Sequence, residues 1–256
     1  MSDISSAYSG NIEHKADDLA FLSKASKIAG SNALILDLGS GFHCQAAKFF
    51  SSPNRQICCI EVDELALRSA MAALSKNTTD GILADITRIH DVFRPGLFDF
   101  ISCFYSLQHV SKPLDCIEHL VTLGNNVAVS VLLDHDGEGN PLPQFLKSCY
   151  SSFLTPGAIG SVLEAKGWQH VSWSRNLVYV ESNEFPCARE YVIGRRQIPK
   201  KRAFAQALRD EIDDDAGEMV ATRNRPKEGK GTLEFFSSGS TLFELCAPFI
   251  ACALSS

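Results

Sequence analysis

The sequence predicts an α/β fold: a doubly wound, mostly parallel, seven-stranded sheet with a C-terminal extension. Three observations predict it. Short apolar runs alternate with stretches whose apolar side chains recur at helical spacing, the rhythm of strands and covering helices. The run Ala33-Leu34-Ile35-Leu36-Asp37-Leu38 breaks into Gly39-Ser40-Gly41 and then a helical stretch. A strand, a tight glycine turn and a helix N-terminus in that order form a ligand site at the end of a parallel sheet. The third observation is bulk balance: 256 residues, 45% hydrophobic and 21% charged, suit one globular domain with elaborations.

The elements follow in order. Residues 8–30 read as a helix, with apolar side chains returning through Ile12 to Leu22 and Gly30 ending it. After the glycine turn, Gln45 to Phe50 continue as a helix with Ala46, Phe49 and Phe50 on one face, and Ser51-Ser52-Pro53-Asn54 breaks it. Gln56 to Ile60 is the second strand, stopping at Glu61-Val62-Asp63. Asp63 is placed to cap a helix striped by Leu67, Ala70, Met71 and Leu74. Gly81 to Ala84 is the third strand, ending at Asp85, and Leu97 to Phe104 the fourth. Asp99 begins that strand, at the end away from a ligand, and reads as structural. Pro113 opens a helix that runs to Leu123, and Asn126 to Leu133 is the fifth strand. Pro156 opens a helix over Gly157 to Lys166, closed by Gly167; Val171 to Val180 and Glu190 to Ile193 supply the last strands.

Residues 199–256 leave this rhythm. Lys200-Lys201-Arg202 begins a charged helical segment, and Arg223 to Gly231 is a basic loop. Thr232 to Phe236 and Thr241 to Leu245 flank Ser237-Ser238-Gly239-Ser240 as a hairpin. The chain therefore divides into residues 1–198, with a helical cap over 1–30, and an extension over 199–256 packed on the core. The hairpin serves either as a homodimer contact or as an added sheet edge.

Composition narrows the function. A net charge of -6 argues against a dedicated nucleic-acid binder, which needs a basic face. None of the nine cysteines forms a C-x-x-C pair; they read as reduced, mostly buried thiols of a cytoplasmic protein, with no metal cluster. Met1 to Ser6 lack the basic start and apolar core of a signal peptide. No apolar run reaches the length of a membrane span, Leu245 to Leu254 included.

In an open parallel sheet the ligand lies off the carboxyl ends of the strands. Those ends carry Asp37, Glu61, Asp85 and Phe104-Tyr105. Glu61 follows Gly39 by 22 residues, the spacing at which an acid accepts ribose hydroxyls, which implies an adenosine-containing cofactor. A dinucleotide site would place a third glycine where Cys44 stands, and no tyrosine is followed by lysine four residues on.

The order of signals resembles the class I S-adenosylmethionine-dependent methyltransferases, a Rossmann-like family. The resembling segments are Leu36-Asp37-Leu38-Gly39-Ser40-Gly41, Ile60-Glu61-Val62-Asp63, Leu83-Ala84-Asp85-Ile86, Phe98-Asp99-Phe100-Ile101, Ser106-Leu107-Gln108-His109-Val110 and Leu163-Glu164-Ala165-Lys166-Gly167-Trp168. They span roughly residues 30–195. The resemblance implies S-adenosyl-L-methionine as cofactor, with Asp37 at its methionine amino group and the Gly39-Ser40-Gly41 backbone passing close to it. It further implies Glu61 on the ribose, Val62 against the adenine, Asp85 on the adenine amino group, the Ile86 amide at a ring nitrogen and the Phe104 backbone near the methionine part. His43 departs from the pattern, which often has glycine there.

His109, just past the fourth strand, is the candidate general base, because neutral imidazole accepts a proton near pH 7. Tyr8, Tyr105 and His135 are candidates for the acceptor pocket. Asp134, Asp136 and Glu138 with Gly139 partly mimic a calcium loop, but Phe145 stands where a bidentate Glu belongs. Neither the Pro-Pro clamp for an exocyclic base amine nor a Pro-Cys nucleophile for pyrimidine carbon follows the fourth strand, which narrows the chemistry. The expected function is methyl transfer by in-line displacement to a small-molecule acceptor. The alternatives are an RNA or protein methyltransferase, supported by the basic runs after residue 199, and a cofactor-binding regulatory protein that keeps the fold.

Overall fold

The computed structural model describes residues 16–75, 78–136, 138–142, 151–181, 183–197 and 234–236. Five parallel strands form its centre: β1 (Leu34–Leu38), β2 (Gln56–Glu61), β3 (Thr79–Leu83), β4 (Phe100–Phe104) and β5 (Asn126–Leu132). β6 (Trp168–Glu181) and β7 (Asn183–Arg196) form a long hairpin, and β7 runs antiparallel to β5. The sheet order is β6-β7-β5-β4-β1-β2-β3, with the short β8 (Glu234–Phe236) antiparallel on β3. The predicted mostly parallel, doubly wound architecture is the one observed.

Helices cover both faces because alternate strand residues point to opposite sides. Leu36 and Leu38 face one apolar cluster, which α4 (Pro113–Leu123) and α5 (Ala158–Ala165) close with Cys116, Ile117, Leu120, Ile159 and Leu163. Ile35 faces the other, closed by α1 (Ala16–Ala29), α2 (Gln45–Phe50) and α3 (Glu64–Ala73). Each fully buried Leu, Ile or Phe contributes about 2 kcal/mol of transfer free energy.

Local chemistry places the boundaries. The Asp63 carboxylate caps α3 by accepting the Ala66 N–H at 2.9 Å. Asp85 accepts the Thr87 N–H at the head of a 3-10 turn, Ile86–Asp91. Asp99 is structural: its side chain accepts the Leu34 N–H and its carbonyl the Asn126 side chain, tying the lower ends of β1, β4 and β5.

Three expectations are corrected. Phe49 is 37% exposed, and Ala47 takes the inward place beside Ala46 and Phe50. The helix after Pro156 begins only at Ala158, because Gly157 is left-handed (φ +77°) and its N–H goes to the Glu190 carboxylate. The final strands are far longer than the apolar runs: pairing continues outward to Glu181 opposite Asn183. The hairpin expected over 232–245 contributes β8 through its first arm; the second arm, with Lys200 to Gly231, lies outside the described residues. Among the described residues, cysteines 44, 58, 59, 103 and 116 are buried thiols outside any disulfide. Among the described residues, no helix is long and apolar enough to cross a membrane.

Candidate functional site

Strand order reverses between β1 and β4, with β2 and β3 on one side and β5 on the other. Such a switch point opens a crevice at the carboxyl ends of the two strands. The glycine turn lies on its β1 side. Gly39 and Gly41 adopt φ +67° and +61°, where a side chain is disfavoured. Their missing side chains serve different ends. A Cβ on Gly39 would sit 2.4 Å from the Ser106 Cβ, so this glycine admits a neighbouring loop of the protein. A Cβ on Gly41 would meet nothing within 4 Å, which leaves that backbone open to a visitor. Ser106 then donates to the Leu38 carbonyl at 2.7 Å, joining the two banks of the crevice.

Glu61 fixes the turn to β2. Its carboxylate accepts the N–H groups of Gly41 at 2.8 Å, Val62 at 2.8 Å and Asp63 at 3.2 Å. Val62 beside it is 71% exposed, an apolar surface at the strand end. The next strand is drawn alongside by the Ala84 N–H on the Glu61 carbonyl, which brings Asp85 and Ile86 to the same rim; Asp85 is exposed and Ile86 buried. Asp37 is 2% exposed, and burial pushes its carboxyl up to about 6, against the lowering effect of the Ser40 and Ser102 hydroxyls. Its Oδ2 is buried with no hydrogen-bond partner.

The β4 side carries Phe104 and Tyr105. Phe104 is buried with its ring against Tyr105 and stacked toward Phe21 of α1. Tyr105 is left-handed (φ +56°), an unusual state for a bulky residue. Its hydroxyl donates to Asp18 of α1, and its ring lies 3.7 Å beneath the Arg189 guanidinium of β7. His109 ends a 3-10 turn, Leu107–His109, and its N–H bonds the Ser106 carbonyl. It is solvent-exposed, yet partial desolvation holds its imidazole below the ordinary value of 6.5. His135, half-buried, sits further out, its Nδ1 against the Asp136 carbonyl and its own carbonyl on the Ala188 N–H. Asp136 spends both oxygens on Glu138 and Asn140 of its own loop. His43 is exposed beside the turn. Tyr8 lies outside the described residues.

Sequence comparison finds one family match. Residues 36–123, from β1 through α4, match the methyltransferase domain family. That segment is similar in sequence to methyltransferase domains. No curated protein matches its sequence. Solved structures share the fold at low identity. YcgJ from Bacillus subtilis is 12% identical with a TM-score of 0.55, over 70% of this chain and 99% of its own. A methyltransferase from Aquifex aeolicus is 17% identical with a TM-score of 0.51, over 75% and 99%. The [4+2]-cyclase SpnF is 15% identical with a TM-score of 0.55, over 73% and 82%.

Sequence reasoning missed four polar residues at this end of the sheet: Asp18, Ser106, Arg189 and Tyr191. Asp18 was legible in part. It precedes Phe21, Leu22 and Ala25 by three, four and seven places, the spacing of their buried face. Arg189 alternates with Tyr191 and Ile193 on one face of β7.

Proposed function

We propose that this methyltransferase transfers the methyl group of S-adenosyl-L-methionine to a small-molecule acceptor by in-line displacement. The observation that carries the reading is the Glu61 carboxylate bound to the Gly41 N–H across the crevice rim. The residues present fit the cofactor. An ionised carboxylate has about four acceptor positions, and three N–H groups occupy Glu61, so capacity for a ribose hydroxyl remains. Val62 offers the adenine an exposed apolar surface, with Asp85 and the Ile86 amide on the same rim. The bare Asp37 Oδ2 suits an ammonium group. Gly39-Ser40-Gly41 and the Phe104 backbone would line the methionine part.

The bound cofactor supplies an electrophilic methyl group on a sulfonium. The chain's own residues align the acceptor and exclude water, from which much of the rate comes. His109 accepts the proton of an acceptor that must lose one. Its depressed pKa keeps the imidazole neutral at pH 7, so the acid limb of the rate lies below pH 6.5.

Calorimetry with S-adenosylhomocysteine tests the reading. Glu61→Ala is expected to weaken binding by about tenfold or more; unchanged affinity overturns the assignment. For a proton-bearing acceptor, His109→Ala is expected to slow turnover about a hundredfold with cofactor affinity retained. An unaltered chemistry-limited rate removes His109 as the base.

A further inference from the structure

We propose that Asp18 and Arg189 form the polar anchor of the methyl-acceptor pocket. They would bind a neutral group carrying a hydrogen-bond donor close to an acceptor, as in a hydroxy-carbonyl or hydroxy-carboxamide compound. The inference rests on the small-molecule reading above and names its substrate class.

Position is the first support. Asp18 lies in the first turn of α1, and Arg189 in β7 stands opposite Leu132, the last residue of β5. Tyr105 follows β4, and Tyr191 stands opposite Ser130 of β5. All lie at the carboxyl end of the sheet, on the face that also carries Asp37 and Ser102.

The second support is how the hydrogen bonds are distributed. Oδ1 of Asp18 accepts from Tyr105, Tyr191 and the Arg189 Nη1, the last at 2.6 Å. Oδ2 of the same carboxylate and Nε of the same guanidinium are buried without partners among the described residues. The two side chains are 1% and 7% exposed. A buried ion pair offsets its desolvation only when its remaining lone pairs and protons are satisfied. One that leaves both partners incomplete is a poor structural device and a ready receptor. The Ser130 hydroxyl oxygen, also buried and unpartnered, adds a third polar atom.

Charge and shape define the ligand. The charges of Asp18 and Arg189 cancel, so a carboxylate or an ammonium would arrive with no net countercharge. A neutral group that donates to Oδ2 and accepts from Nε completes both ions at the lowest desolvation cost. The surroundings are aromatic: Phe21 lies 4.9 Å from Tyr191, and Phe104 lies 4.1 Å from Tyr105. They suit a planar ligand body. Burial keeps the Tyr191 hydroxyl protonated and therefore a donor to Asp18. The left-handed Tyr105 is held by its Asp18 bond and its contact with the guanidinium, the kind of local strain that collects at binding sites.

The test uses the full chain, calorimetry and 2-hydroxybenzamide as probe. S-adenosylhomocysteine is titrated first, and the probe is then titrated into the loaded protein. The probe is expected to bind at millimolar concentration or below, and the anion 2-hydroxybenzoate about tenfold more weakly. Arg189→Lys keeps the charge opposite Asp18 but removes Nε. It is expected to lose about tenfold or more of the probe affinity with S-adenosylhomocysteine affinity retained. Asp18→Asn should do the same, and if that variant does not fold, the lysine variant decides alone. Probe affinity unchanged in the folded variants, or no probe binding to loaded wild type, overturns the inference and leaves the methyltransferase reading intact. Loss of S-adenosylhomocysteine binding in Arg189→Lys also overturns it, since the pair would then serve the cofactor. Wild type that binds no S-adenosylhomocysteine overturns the reading and the inference together.

Discussion

At the scale of single residues, Asp37 links stability to the site. Its folded carboxyl is raised by burial from 3.8 to about 6. The folded state therefore holds a proton that the unfolded chain releases between these values. Its stabilising contribution is complete below pH 4 and is lost as pH rises through 6, a swing of about 3 kcal/mol. Asp37→Asn is expected to remove that component. Urea unfolding at pH 4 and pH 8 should show a smaller drop for the variant than for wild type, and parallel drops would refute the assignment. The sequence reveals Asp37 readily, since a carboxylate before Gly-x-Gly interrupts an apolar run. It does not reveal that Gly39 is small for the sake of Ser106, because that contact joins loops 67 residues apart. Nor does it reveal that Cys44, which argued against a dinucleotide turn, keeps a left-handed backbone (φ +39°) with its side chain buried. The conformation that favours glycine is still present there, stabilised by packing.

Elements were legible where a local rule governs them. The Asp63 cap and the stripe of Leu67, Ala70, Met71 and Leu74 along and just past α3 are short-range facts, and the structure buries Leu67, Ala70 and Leu74 with Met71 packed beside them. Asp63→Ala is accordingly expected to lower stability by about 1 kcal/mol. Because the cap adjoins Val62, S-adenosylhomocysteine affinity in the variant reports whether α3's first turn also steadies the rim. Chemical denaturation monitored by circular dichroism checks the first effect; no shift in midpoint would mean the cap is dispensable. The β6–β7 hairpin was only half visible. Pairing of one strand with the next extends β structure through Glu184-Phe185-Pro186, where neither alternation nor a continuous apolar run marks it. The helix after Pro156 was misplaced for a related reason: the Glu190 carboxylate that receives the Gly157 N–H comes from a distant strand.

At the scale of the whole molecule, the reversal of strand order between β1 and β4 gathers the site. Asp37, Glu61, Asp85 and Phe104 come from four strands, yet parallel connections bring all their carboxyl ends to one edge. The repeated strand–helix rhythm makes this edge predictable from sequence. What crosses it, from α1 to β7, depends on tertiary packing and was invisible. A ligand that spans the edge binds only the folded arrangement, and so it should stabilise the whole domain. At a concentration about a hundredfold above its dissociation constant, S-adenosylhomocysteine is expected to add about 2.7 kcal/mol. For a chain of this size that corresponds to a rise in Tm of roughly 5–10 °C. The rise should shrink sharply in Glu61→Ala at the same ligand concentration, because the free ligand then lies closer to its dissociation constant. Thermal unfolding with and without ligand measures both. An equal rise in wild type and variant would show that the stabilising contacts lie elsewhere on the molecule, and the convergence of the strand ends would lose its functional meaning.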